Sequence, residues 1–192
     1  MQPAPLEVTV LVVEALESLG VRYLIGGSLA SGLFGVTRVT LDADILADLG
    51  LEHAEPLHSK LVPRFYVDLG AIRQAIMRRR SFNAIHMESA FKVDVFISQD
   101  RPFDRMELAR RQRHQVATSP PQSAYFASPE DIILAKLEWY RSGGEVSDRQ
   151  WDDVLGVFKV QGERLDRQYL RRWAAELGLA DLLERALSES KD

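Results

Sequence analysis

The chain has 192 residues, is 46% hydrophobic and 27% charged, and carries a net charge of −4. Those proportions are those of an ordinary globular protein with a real core, and the negative balance argues against a general polyanion-coating protein. There is no cysteine, which excludes disulfides and cysteine-ligated zinc.

No apolar run reaches the about 18 residues of a membrane span. The first twenty residues lack a basic start, and Glu7, Glu14 and Glu17 interrupt their apolar stretch, so they do not fit a signal peptide. A cytoplasmic protein with no membrane association is the expectation.

Apolar residues at Val8, Leu11, Val12, Ala15, Leu16 and Leu19 predict a helix over 5–19, stopped by Gly20. Residues 21–25 read as a short buried strand that runs into Gly26-Gly27-Ser28. A helix starts at 29–33 and closes near Gly35, and residues 40–46 form a second strand. Helices are expected over 51–62, interrupted or begun anew at Pro56, and over 68–80. Residues 82–87 and 91–97 read as two strands joined by a hairpin. A short helix at 103–111 precedes extended pieces at 114–117 and 124–126, around Pro120-Pro121.

From Ser128 the pattern is helical. Ser128-Pro129-Glu130-Asp131 combines a capping serine, a proline at the first helical position and early acids, and this helix should reach Tyr140. Ser147 and Gln150 match a capping box for a helix to about Val160. Asp166 should open another to Leu177, and 180–188 make the last. The reading is an α+β core at 1–127 followed by a helical domain at 128–192.

Three pieces carry candidate chemistry. Glycines at the mouth of a helix let backbone N–H groups approach a ligand closely, so Gly26, Gly27 and Ser28 suit a phosphate; a plain strand-to-helix turn is the alternative. In Thr40-Leu41-Asp42-Ala43-Asp44, the two aspartates are two apart in a strand and share a face. Their mutual repulsion is relieved by a divalent cation, and all-oxygen ligands suit Mg²⁺ or Mn²⁺; two exposed acids on an edge strand are the alternative. Asp94 stands in the middle of the apolar strand Lys92-Val93-Asp94-Val95-Phe96, where a buried carboxylate needs a partner. That partner is either a metal shared with Asp42 and Asp44, or an arginine such as Arg38.

In this order the three pieces resemble the nucleotidyltransferase fold of the polymerase-β type, a mixed sheet flanked by helices. The segment Arg38-Val39-Thr40-Leu41-Asp42-Ala43-Asp44 resembles more closely the AbiEii-like nucleotidyltransferases of bacterial toxin–antitoxin systems, which also carry a helical C-terminal part. Lys136 and the Asp152-Asp153 pair occupy places comparable to that family's lysine and acid. The resemblance implies an Mg²⁺- or Mn²⁺-dependent enzyme that moves a nucleotide from an NTP such as ATP to an acceptor. Asp42, Asp44 and Asp94 would be catalytic and metal-binding. Gly26, Gly27, Ser28, Arg38, Thr40, Lys136 and Asp153 would bind the nucleotide. An RNA end such as tRNA, a protein side chain, or a small molecule is the expected acceptor, and a cognate antitoxin a partner. A non-catalytic binding or regulatory protein of the same fold is the alternative.

The four histidines lack metal-ligand spacing and read as structural or surface residues. Trp139, Trp151 and Trp173 read as helical core. Two basic stretches, Arg73 with Arg78–Arg80 and Arg110, Arg111, Arg113 with His114, are either solvated helix ends or a surface that guides RNA.

Overall fold

The computed structural model describes residues 4–118 and 121–190; Pro120 lies outside them. In chain order the elements are α1 (Pro5–Ser18), β1 (Tyr23–Ile25), α2 (Gly27–Phe34), β2 (Asp42–Ala47), α3 (Ala54–Leu61), β3 (Phe65–Tyr66), α4 (Leu69–Arg78), β4 (Ser81–His86) and β5 (Lys92–Ile97). They continue with α5 (Pro102–Arg110), β6 (Gln112–Thr118), β7 (Pro121–Phe126), α6 (Pro129–Ser142), α7 (Asp148–Gln161), α8 (Arg167–Glu176) and α9 (Ala180–Glu189). The chain divides into two compact units, Met1–Gly26 with Val39–Phe126, and Gly27–Arg38 with Ala127–Asp192.

The first unit is built on a seven-stranded mixed sheet in the order β3-β4-β5-β2-β1-β7-β6. β2 and β5 run parallel at its centre, with Asp44 opposite Asp94 and Asp42 opposite Lys92. β1 joins β2 antiparallel, and β4 joins β5 antiparallel through the expected hairpin. Strict alternation decides the two faces. Ala43, Ile45, Ala47, Val93, Val95, Phe82 and Ala84 point to one side and are buried. On that side α1 packs on β2, α4 packs on β4 and β5, and α3 bridges α1 and α4. The other face carries Asp42 and Asp44 from β2, Lys92 and Asp94 from β5, and Ser81, Asn83 and Ile85 from β4.

Local signals explain most of the helix ends. The Asp68 carboxylate accepts from the Ala71 N–H at 2.7 Å and starts α4. Arg79 closes that helix in the left-handed region, at φ 50°. A 3₁₀ turn at Leu51–His53 precedes α3, which begins at Ala54 rather than at Pro56. Pro56 falls in the first turn, where its missing N–H leaves no intrahelical bond unmade. The two-residue β3 is too short to leave a periodic signal in the sequence.

The second unit is helical. Ser128 caps α6, accepting from the Asp131 N–H at 3.2 Å, and Asp166 caps α8, accepting from the Tyr169 N–H at 2.9 Å. The expected capping box at Ser147 does not form. The Ser147 side chain makes no cap bond, because the Gln150 and Trp151 N–H groups both turn to its carbonyl, at 3.1 and 3.2 Å. Ile132, Ile133, Leu134 and Leu137 of α6 are buried, and α2 packs against both α6 and α7. The approach to α7 requires glycine: a Cβ on Gly35 would lie 2.9 Å from the carbonyl carbon of Gly156. No helix among the described residues is long and apolar enough to cross a membrane.

Burial separates residues that the sequence places side by side. Ile45 is 0% exposed and Leu41 is 80% exposed. Urea denaturation should show Ile45→Ala costing about 2–5 kcal/mol and Leu41→Ala within about 0.5 kcal/mol of the parent. Equal costs would contradict this sheet orientation.

Candidate functional site

The acid face of the first unit has four corners. Asp42 and Asp44 stand on β2, opposite Lys92 and Asp94 on β5. Paired positions on neighbouring parallel strands present their side chains to the same face, so all four project together. Asp94 is thus on the same face as Asp42, as the metal reading requires. Its immediate partner is neither a carboxylate nor Arg38. The Lys92 ammonium lies 2.7 Å from Asp94 Oδ2 and 4.0 Å from Asp42 Oδ2. The hydrogen bond to Asp94 raises the Lys92 pKa; burial opposes this, and the charges of Asp94, Asp42 and Asp44 reinforce it. Among the described residues, no three histidine, aspartate or glutamate side chains are grouped closely enough to hold a metal ion. The three carboxylates share a face, and two of them, Asp94 and Asp42, stand against an ammonium.

Two backbone-linked contacts fix this face. The buried Thr40 hydroxyl donates to the Asp42 carbonyl at 2.8 Å and lies 3.3 Å from Asp42 Oδ1. The Gly26 N–H donates to the Asp44 carbonyl at 2.9 Å, which ties the end of β1 to the acid strand. The next residue, Gly27, has φ 55°, a conformation that favours glycine.

A second charged centre lies within the helical unit. Arg38 donates to both Asp153 oxygens, from Nε at 3.0 Å and Nη2 at 3.1 Å, and also to the Ser28 hydroxyl. The Lys136 ammonium donates to Asp153 Oδ2 at 2.7 Å. The Asp153 and Lys136 side chains are 4% and 6% exposed, and that of Arg38 33%. Burial pushes the Asp153 pKa up, but the bonds and charges of Arg38 and Lys136 outweigh it and hold the carboxyl below its usual range. Lys136 is therefore buried and already ion-paired. Asp152, its neighbour's equal in sequence, is exposed. The Arg38 expected as an alternative partner of Asp94 is committed to Asp153.

Other candidates have structural occupations. The buried His86 has its Nδ1 2.9 Å from the Ser89 hydroxyl, and His53 Nδ1 accepts from the Gly50 N–H at 3.0 Å. Trp151 and Trp173 are buried as expected, but Trp139 is 57% exposed, on the outer side of α6. Of the basic stretches, Arg73 pairs with Glu55, and Arg79 donates to the Ser98 carbonyl at 2.8 Å. Arg111 and Arg113 lie over the Tyr125 ring, at 4.6 and 5.8 Å from its centroid. Arg78 and Arg80 are exposed. The residue that the sequence reading overlooked is Lys92. Its signal was available, since it precedes Asp94 by two in a strand. Asn83, directly opposite Asp94 on β4, is the other residue this face adds.

No protein-family model matches the sequence, and no curated protein matches it. Solved structures do match. An antigenic nucleotidyltransferase-like protein from Paracoccidioides brasiliensis is 19% identical, with a TM-score of 0.56 over 94% of this chain and 91% of that one. The antibiotic-resistance factor ANT(2'')-Ia is 17% identical, with a TM-score of 0.55 over 96% of this chain and 97% of that one. The lincosamide antibiotic adenylyltransferase LnuA, lincomycin-bound, is 13% identical, with a TM-score of 0.50 over 79% of this chain and 95% of that one. At these identities the likeness establishes the fold, and the chain has the nucleotidyltransferase fold.

The Asp153 centre generates a stability prediction. Asp153→Asn leaves a buried cation short of its partner and should cost about 3–5 kcal/mol by urea denaturation. The sign with pH follows from the lowered carboxyl. Its contribution is full above the unfolded value of about 4 and is lost as pH falls through the folded value. The parent should therefore lose stability on the acid side, and the variant should show a flatter acid limb.

Proposed function

We propose that this chain is a metal-dependent nucleotidyltransferase that moves a nucleoside monophosphate from an NTP to an acceptor. The observation that carries the reading is the register of the two central parallel strands. It places Asp44 opposite Asp94, with Asp42 on the same face, in a chain of nucleotidyltransferase fold. The donor chemistry is that of Mg²⁺ or Mn²⁺, three carboxylates, and sharing one ion would require them to draw closer than they stand around Lys92. Asp42, Asp44 and Asp94 would hold such an ion, which would supply positive charge to the attacking and leaving oxygens.

The chain's own residues do the rest. Asp94 takes the proton of the acceptor hydroxyl as its oxygen bonds to the α-phosphorus and the bond to pyrophosphate breaks. Thr40 holds Asp42 in place. The backbone N–H groups of Gly26, Gly27 and Ser28 bind the phosphates. Arg38 and Lys136, which meet at Asp153, would meet the triphosphate from the helical side.

The finer reading is an AbiEii-like enzyme of a toxin–antitoxin or defence system, acting in the cytoplasm with a cognate antitoxin. It is supported by the meeting of Arg38, Lys136 and Asp153 in one ion-paired centre, since these are the residues the resemblance singled out. An RNA end or a protein side chain is the favoured acceptor. Arg73, Arg79, Arg111 and Arg113 have partners within the fold and Arg110 is half-buried, so a tRNA acceptor would rest chiefly on Arg78 and Arg80. LnuA is lincomycin-bound, which keeps a small-molecule acceptor in the test.

The test is transfer of α-labelled NTPs to components of a cell extract, separated into RNA, protein and small molecules. Asp42→Asn, Asp44→Asn and Asp94→Asn should each reduce transfer by roughly a thousandfold or more. Mg²⁺ with NTP should raise the parent's melting temperature and leave that of Asp42→Asn unmoved. A parent that binds NTP but labels nothing would favour the non-catalytic binding protein.

A further inference from the structure

We infer that Lys92 is a built-in counter-cation of the acid face, competing with the metal ion for the three carboxylates. The inference rests on the metal-dependent reading proposed above and adds to it a residue that governs when the ion binds.

The geometry is specific. Lys92 is in register with Asp42 across the β2–β5 pair and two residues from Asp94 on its own strand, so its side chain shares their face. Its ammonium makes a direct ion pair with Asp94 Oδ2 at 2.7 Å, and Asp42 Oδ2 lies 4.0 Å away. Asp44, opposite Asp94, completes the group. The Asp94 side chain is 14% exposed, whereas the Lys92 side chain is 37% exposed. The carboxylate is thus held in place, and the ammonium sits at the solvent side on a flexible stem. Such a stem lets the head leave without disturbing the strand.

Three like charges on adjacent positions raise one another's energy unless a cation is among them. Without a metal, Lys92 sets a positive charge against Asp94 and Asp42. A divalent ion that binds Asp94 must take over the carboxylate that Lys92 now engages. Lys92 therefore weakens binding of the bare ion and leaves the site to an ion that arrives with the triphosphate.

The test is direct metal binding without nucleotide or turnover. Mn²⁺ is titrated into the parent, Lys92→Gln and Lys92→Arg, and the free ion is followed by electron paramagnetic resonance. Lys92→Gln should bind Mn²⁺ roughly tenfold more tightly than the parent, since it removes one charge within a few ångströms of the site. Lys92→Arg should bind like the parent. Without metal, Lys92→Gln should melt below the parent, and Mn²⁺ should raise its melting temperature by more than it raises the parent's. A second readout needs no variant: in the parent, saturating Mg²⁺ should shift the side-chain nitrogen resonance of Lys92. Equal affinities of the parent and Lys92→Gln, tighter binding by Lys92→Arg as well, or an unmoved Lys92 resonance at saturation would overturn the inference while leaving the metal site standing. If neither the parent nor Lys92→Gln binds Mn²⁺, the metal reading falls and the inference falls with it.

Discussion

Like-charge repulsion is the constraint around which the first unit is arranged. Placing Asp44 directly opposite Asp94, with Asp42 one pleat away, sets three carboxylates on adjoining positions of two hydrogen-bonded strands. Left alone, the three negative charges would repel one another. Two features make the arrangement tolerable. The opposite face of the same strands is buried behind α1, α3 and α4 through Ala43, Ile45, Val93 and Val95, so the strands cannot slip in register without turning acids into the core. On the acid face itself, Lys92 supplies a positive charge. Packing fixes the place of the charges, and a cation among them makes that place tenable.

The helical unit solves the same kind of problem in reverse. Lys136 and Asp153 are both nearly inaccessible to water, and burying either alone would be costly. Arg38 joins them from the segment after α2, and its third contact is the Ser28 hydroxyl on the first turn of that helix. Residues 115 positions apart in sequence are thereby bound into one polar centre.

Most of the elements were legible because their signals are local. The alternation of Lys92-Val93-Asp94-Val95-Phe96 fixed both a strand and the face of Asp94, and the sequence around Ser128 fixed the start of α6. The failures have a common cause in side-chain choices made only in three dimensions. Ser147 has the right neighbours for a capping box, yet its carbonyl takes both amides. Trp139 has a helical spacing suited to a core but lies outward. Asp152 and Asp153 are indistinguishable as letters, and only the helical phase of α7 buries the second. Asp94 pairs with Lys92 and Arg38 with Asp153, choices that no local pattern signals. The close approach of Gly35 to Gly156 could not be read from either glycine alone.

The central claim is that Asp42, Asp44 and Asp94 together bind a catalytic divalent ion. A crystal structure of the protein with Mn²⁺ and a non-hydrolysable NTP, with the ion located by its anomalous scattering, tests it most directly. The account predicts an anomalous peak liganded by carboxylate oxygens of Asp42, Asp44 and Asp94, with the α-phosphate of the nucleotide beside it. A well-occupied nucleotide with its ion bound elsewhere, and these three aspartates untouched, would contradict it.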